Sequence, residues 1–425
     1  MKLHKYEKRA LVKFYDQKTA VEIPPFVANE KYVKGVWVSN VANIDTPIMQ
    51  DVESYKEYLV KMIENIASYN INLIIFQARP LSDAYYESKL NPWSRYITGV
   101  EGKHPGFDVL AFVIEEAKKY GIEVHAWLNP YRVSHRSLDD LKMTKDEYLA
   151  TLDDLNFAKR HPEDTILDGQ NKIILRPASE NVNQFMKATV EEIITNYDVT
   201  GIHIDDYFYP YAKVPYEQEK KDYLLKKGNS DLTLDDFRRQ NVDKMIKEIH
   251  EVIVNNNKGH RKVLFGISPF AIYRNNKQID PNGWEYGSYQ SPHVCQCYND
   301  LYSDVYKWME EGWIDYVVPQ VYFPFERKDV NYHDLTRWWV ETSKRTKTTL
   351  YIGQGLYQMG SNAFWRNPLE IDYQLRFNQQ FAKIEGTIFF TYRDLVPGQN
   401  MVKDASIALL KARWNTKKYS ETIKK

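Results

Sequence analysis

Apolar runs of seven to ten residues alternate along this chain with longer stretches whose apolar positions recur every three or four residues. The short runs are "KGVWVSN" (34–40), "NLIIFQAR" (72–79), "EVHAWLNP" (123–130) and "GIHIDDYFYP" (201–210). Four more follow: "VLFGISPF" (263–270), "YVVPQVYF" (316–323), "LYIGQGLY" (350–357) and "GTIFFTYR" (386–393). Their β-branched and aromatic content suits strands. Between them, "YKEYLVKMIENIASYN", "FDVLAFVIEEAKKYG", "VNQFMKATVEEIITNYD" and "NVDKMIKEIHEVIVNN" carry apolar residues at helical spacing. So do "LYSDVYKWMEEGW", "HDLTRWWVETSKR" and the closing "MVKDASIALLKARW". Eight strands alternating with helices predict an α/β chain folded as a (β/α)8 TIM barrel. A doubly wound sheet fits less well, since it uses fewer strands and a Gly-rich first turn absent here.

The barrel is expected over 31–412, with an N-terminal extension at 1–30 and a lysine-rich tail at 413–425. Two connections exceed ordinary loop lengths, 80–108 and 131–175. In a barrel such loops stand over the C-terminal face of the strands, where active sites lie.

The strand ends are unexpectedly polar. The second closes in Gln77 and Arg79; the third alternates His125, Trp127 and Asn129; the fourth alternates His203 and Asp205 before Asp206 and Tyr207. The sixth carries Gln320 and Tyr322, the seventh Gln354, the eighth Tyr392. Period-two alternation turns such sets toward the axis, where a plain core would hold Val, Ile and Leu. Polar groups converging from six strands predict a binding site. Each also has a bland reading. Arg79 could pair with Asp205, the histidines could be hydrogen-bonded barrel residues, the glutamines could satisfy one another, and Asn129 before Pro could serve a turn. The Asp205–Asp206 doublet is the exception. Two carboxylates this close repel, which raises one pKa and yields an acid and a base in one place.

Composition narrows the partners. With 57 basic and 57 acidic residues, no global field draws in nucleic acid. The 32 Tyr and 10 Trp offer faces for stacking on sugars, although most serve as core. Cys295 and Cys297 are too close along an extended chain to bridge. With His293 they fall short of the four ligands a structural zinc needs, so no metal or cofactor is expected. Free thiols favour a reducing compartment. No segment is apolar enough for a signal peptide or a membrane span. The expectation is a cytoplasmic protein, or an exported one whose leader is absent from this chain.

The segments "GVWVSN", "PLSDAYYESKLNPWSRYITG", "HPGFDVLAFVIEEAKKYGIEVHAWLNPYR" and "GIHIDDYFYP" resemble the glycosyl-hydrolase-like ten family, long described only as a bacterial domain of unknown function. "FGISPFAIYRN", "GWIDYVVPQVYF" and "YIGQGLYQMG" extend the likeness, which covers about residues 33–394. It implies a (β/α)8 barrel that cleaves peptidoglycan glycan strands, notably those stripped of peptide. It places Arg79, His125, Asn129, Arg132, His203, Asp205, Asp206, Tyr207, Gln320 and Tyr322 in shared motifs. The chain departs from the family at "RPA" (176–178), where Asn-Pro-Gly is usual, and at Phe323, where Trp is usual.

Adjacent acids do not readily flank a sugar as the usual two carboxylates do, roughly 5 Å or 6.5–9.5 Å apart. They suit a mechanism in which the substrate's own N-acetyl group attacks the anomeric carbon. Asp205 would orient the acetamide and Asp206 act as acid/base, with Tyr322 or Tyr392 donating to the acetamide oxygen. Arg79, Asn129 and Gln354 would hold hydroxyls or a lactyl carboxylate. A conventional second acid would come from Asp83, Glu285, Glu326 or Asp394. Two other readings compete. One is a metal-dependent hydrolase ligated by His125, His203 and Asp205. The other is a non-catalytic glycan-binding barrel using Trp37, Trp93, Trp127 and Tyr209.

Overall fold

The computed structural model describes residues 1–257, 262–275, 287–291 and 293–415. Ten strands in chain order are β1 (Val33–Val38), β2 (Leu73–Arg79), β3 (Glu123–Leu128), β4 (Thr165–Leu167) and β5 (Ile173–Leu175), then β6 (Gly201–Ile204), β7 (Leu264–Ile267), β8 (Tyr316–Val317), β9 (Thr349–Gly355) and β10 (Ile384–Phe390). Eight of them close a parallel barrel in the order β1-β10-β9-β8-β7-β6-β3-β2. All eight expected strands are present, and the fold is a (β/α)8 barrel. β6 and β8 stop short of their apolar runs, because the polar residues that follow leave the ladder to form the site.

The anticipated helices surround the barrel, at 52–68, 109–118, 180–196, 234–256, 305–310, 332–343 and 401–414. Their starts follow from side-chain caps: Asp51, Asp108, Ser179, Thr233, Asn331 and Asn400 each accept from a first-turn N–H. Two helices carry no clear apolar stripe and escape a reading by periodicity. Tyr216–Lys227 is lysine-rich, and Glu370–Asn378 buries Glu370, Asp372, Gln374 and Asn378.

The long connection after β3 holds the antiparallel hairpin β4–β5. β5 also pairs with residues after β3, through Leu175 N–H to Tyr131 O at 2.7 Å and a bridge between Arg132 and Ile174. The N-terminal residues fold back on themselves through antiparallel bridges Lys2–Glu22, His4–Leu11 and Lys13–Ala20. They bury Leu3, Val12, Phe14, Val21 and Ile23 in the main core.

Tyr316 fills the barrel axis. An added Cβ at Gly266, its neighbour on β7, would lie 1.9 Å from the ring, so only glycine fits there. The phenol bridges two histidines, His125 Nδ1 at 2.7 Å and His203 Nδ1 at 3.0 Å. Trp37 Nε1, which can only donate, points at His203 Nε2 at 3.3 Å, so that nitrogen accepts and Nδ1 carries the proton. Tyr316 then donates to His125 Nδ1. Burial holds His125 down to about 3, and burial with His125 beside it holds His203 well below its usual range. Both rings are neutral floor.

Candidate active site

Above that floor side chains on or just past β1, β2, β3, β6, β8 and β10 converge. Trp127, at the end of β3, donates its indole N–H to Asp205 Oδ2 at 3.1 Å. Asp205 Oδ1 accepts from Tyr207 N–H at 2.9 Å and faces Asn129 Nδ2 at 3.5 Å. Asp206 turns the other way: Gln320 Nε2 donates to its Oδ1 at 3.0 Å, and the Tyr211 hydroxyl donates to its Oδ2. Both carboxyls are 5 % exposed. Burial, then the charge of Asp206, pushes Asp205 up to about 6 against the pull of Arg132 and its hydrogen bonds. Burial also raises Asp206, partly offset by Tyr211 and Gln320. Desolvation thus raises both carboxyls, and repulsion by Asp206 adds to the rise of Asp205.

Two cavities meet at this pair. An inner one of about 190 Å³ is bordered by Trp37, Gln77, Trp127, Asp205, Asp206 and Tyr322, with Tyr207, Gln320 and Phe390. An outer cleft of about 830 Å³ runs past Asp206, Tyr211, Tyr322, Tyr357 and Trp365 to Arg327. Asp206 borders both cavities; Asp205 borders only the inner one. Gly353 on β9 makes room, since a Cβ there would stand 3.1 Å from the Trp37 ring. Gln77 is fully buried, and its Oε1 accepts from the N–H groups of Asn40 and Val41, both at 2.8 Å. Its Nε2 is left without a partner.

Besides His125 and His203, which lie in the floor, three expected site residues lie elsewhere. β2 bulges between Gln77 and Arg79, so that Gln77 pairs with inward Trp127 but Arg79 with outward Leu128. Arg79 is fully buried behind the barrel wall, bonded to Asn91 Oδ1 at 3.1 Å and to the carbonyl of Asn129, with Phe185 stacked at 5.3 Å. It makes no ion pair with Asp205. Gln354 follows the outward phase of β9, set by inward Tyr351 and Gly353, and donates to Tyr332 at 3.1 Å and Gln374 at 3.0 Å. Tyr392 begins a turn after β10 and faces Asn65 and Asp45 on the outer layer. Phe390 takes the inward place instead.

The candidate second acids are engaged away from the cavities. Asp83 is buried and accepts from Leu81 N–H at 3.0 Å, Glu326 accepts from Tyr6 N–H, and Asp394 pairs with Lys403 at 2.6 Å. Glu285 lies outside the described residues. The metal set dissolves likewise, because His125 and His203 are tied to Tyr316 beneath the pair. Among the described residues, three potential metal ligands converge only at His161, Glu163 and Asp164, and Asp164 is bonded to Arg176 at 2.9 Å. Cys297 donates to Phe270 O, and Cys295 borders the outer cleft with its thiol pushed up to about 12 by burial. Of the aromatics considered for stacking, Trp37 and Trp127 reach the inner cavity. Tyr209 is buried against Glu219 and Trp93 packs on His104.

Tyr211, Ser268, Phe390, Tyr357 and Trp365 were not anticipated. Tyr211 stands one residue past the "GIHIDDYFYP" run, and Ser268, which bonds His203 Nε2 at 2.9 Å, lies inside the "VLFGISPF" run, one residue past β7. Those two positions were within reach of a strand-end argument. Tyr357 closes the "LYIGQGLY" run, and Trp365 comes from a loop with no periodic signal.

A parallel eight-stranded barrel with an acidic doublet in an aromatic cleft at its C-terminal face is the architecture of a glycoside hydrolase-type protein. Residues 32–368 match the model of the glycosyl hydrolase-like 10 family, and the chain belongs to that family. It is 34% identical over 396 residues to glycosyl hydrolase YngK of Bacillus subtilis (strain 168), the match covering 90% of this chain and 72% of YngK. It is 30% identical over 404 residues to glycosyl hydrolase DigH of Escherichia coli (strain K12), covering 90% and 88%. Among solved structures it resembles the catalytic domain of a β-amylase from Paenibacillus polymyxa, with a TM-score of 0.52 at 11% identity over 92% of this chain and 99% of that one. The α-L-fucosidase isoenzyme 2 of Paenibacillus thiaminolyticus matches with a TM-score of 0.51 at 14% identity, over 90% of this chain and 50% of the fucosidase. These structural likenesses concern the fold alone. Among the described residues no helix is long and apolar enough to cross a membrane.

Proposed function

We propose that the protein hydrolyses glycosidic bonds in N-acetylhexosamine-containing glycans, peptidoglycan strands above all, with the substrate's acetamide as nucleophile. The observation that carries this reading is the division of the doublet between two cavities. Asp206 borders both, and Asp205 only the inner one. A sugar in the inner cavity places its acetamide beside Asp205 and its glycosidic oxygen beside Asp206.

In the first step the acetamide oxygen forms a bond to the anomeric carbon while the bond to the leaving oxygen breaks. Asp206 gives its proton to that oxygen, and ionised Asp205 accepts the acetamide N–H as positive charge builds. In the second step Asp206 removes a proton from water, which attacks the anomeric carbon and opens the oxazoline. Indole and backbone N–H donors support charge on Asp205. Tyr322 borders both cavities, with no described partner for its hydroxyl, and is placed to donate to the acetamide oxygen. The glycosyl hydrolase relatives favour the same bond class.

The test is mass spectrometry of peptide-free peptidoglycan strands incubated with wild type, Asp205→Asn or Asp206→Asn. Shorter saccharides should appear with wild type alone. Near-full release by both variants would sink the doublet mechanism. Equal cleavage of chemically de-N-acetylated strands would remove the acetamide from it.

A further inference from the structure

The hairpin β4–β5 closes a third cavity, of about 210 Å³, on the flank of the inner one. Arg132, His135 and Tyr207 border both, so the two spaces adjoin. The Arg132 guanidinium lies 4.3 Å over the Tyr207 ring, and its backbone N–H is fixed by Asn129 Oδ1 at 2.8 Å. No described residue accepts a hydrogen bond from the guanidinium. Lys172, on the hairpin turn, borders the same cavity, and no described carboxylate pairs with its ammonium. The single acid bordering the cavity, Asp168, accepts through Oδ1 from the backbone N–H groups of Gln170 and Lys172 at 2.8 and 2.9 Å, and its one charge is outnumbered by the two cations. On the inner side the charge of Arg132 acts on Asp205 and Asp206, both of which burial raises. Burial, Arg132 and Lys172 hold His135 below its usual range, so it stands as a neutral polar group between two cations.

We infer that this flank cavity receives the carboxylate of an acidic sugar, held by the planar fork of Arg132 and the ammonium of Lys172. The inference rests on the glycosidase reading. It assigns to Arg132 the carboxylate contact that Arg79, sealed behind the bulge, cannot make. The fork matches a carboxylate's two oxygens. In peptidoglycan that group is the 3-O-lactyl ether, which is a free carboxylate once the peptide is removed and an amide while the peptide is attached. The cavity therefore distinguishes stripped strands from decorated ones by charge.

The experiment compares peptide-free strands with the same strands after conversion of their carboxylates to methylamides. Equilibrium binding and KM are measured for wild type, Lys172→Gln and Arg132→Gln, with circular dichroism as the check on folding. Wild type should bind the amidated strands about 10- to 100-fold more weakly, the size of a charge-assisted hydrogen bond. In the variants that ratio should fall to about threefold or less. Equal binding of both forms by wild type, or a ratio that survives both substitutions, overturns the inference. Cleavage of both forms with equal KM refutes the flank cavity and leaves the glycosidase reading standing. A wild-type preference for free carboxylates without any cleavage does the reverse.

Discussion

Replacing Asp205 by Asn should abolish activity and yet stabilise the fold at alkaline pH. The folded carboxyl holds its proton more tightly than the unfolded one, from a usual 3.8 up to about 6. Stability is therefore full below pH 3.8 and is lost as pH rises through about 6. At 1.36 kcal/mol per pH decade, the ionised wild type at pH 8 carries a penalty of about 3 kcal/mol that a neutral amide avoids. Asn is nearly isosteric, but its NH₂ faces the Trp127 indole N–H in place of Oδ2, which costs about 1–2 kcal/mol for the lost bond. The net expectation is a variant more stable than wild type by about 1–2 kcal/mol at pH 8. At pH 4 most of the penalty is gone from the wild type, so the variant becomes slightly the less stable of the two. Urea titrations at half-unit intervals from pH 4 to pH 8.5 would read this as curves that cross. The slope with denaturant should be the same for both proteins. A difference that stays constant with pH, or a wild type that gains on the variant as pH rises, would show that the pair is not held against its charge.

Tyr316→Phe orphans His203 Nδ1–H and His125 Nδ1 at 0–2 % exposure, and should cost about 2–5 kcal/mol in urea titration. Tyr322→Phe should cut kcat by about 10²-fold with KM nearly unchanged, the signature of a donor used in the transition state, read by steady-state kinetics. Arg79→Gln should lower the denaturation midpoint while leaving KM within about twofold, because the guanidinium touches Asn91, Asn129 and Phe185 and neither cavity. Incubation with EDTA should leave the rate unchanged, since both barrel histidines are bonded to Tyr316.

Eight strands could be placed from sequence because each is a short β-branched run bounded by a helix with its own cap. The doublet could be placed because two adjacent acids in an apolar run have few structural uses. The misplaced residues have three physical origins. Period-two reasoning assumes unbroken phase, and phase was lost at the bulge before Arg79 and at the end of β10 before Tyr392. At Gln354 the starting phase was misassigned, since the inward positions of β9 are Tyr351 and the small Gly353, with no polar signal. His125 and His203 lie inward as alternation demands, yet one layer too deep, because Tyr316 and Gly266 build a floor above which only the last residues of each strand reach. The hairpin β4–β5 has three-residue strands, too short to show any period.

The extra residue in β2 also sets how the barrel can be rebuilt. Downstream of Ala78 every side chain is half a cycle out of step with the strand that began at Leu73. Excising that one residue would leave Arg79 next to Gln77 and still opposite Leu128, so the cation would stay in its pocket against Phe185 and only the irregular pairing would go. Regular pairing of all three residues, by contrast, would put Arg79 in the inward phase of Gln77 and bring a cation toward the ionising pair. One extra residue in the strand is what keeps this cation a structural rivet two places after an inward glutamine.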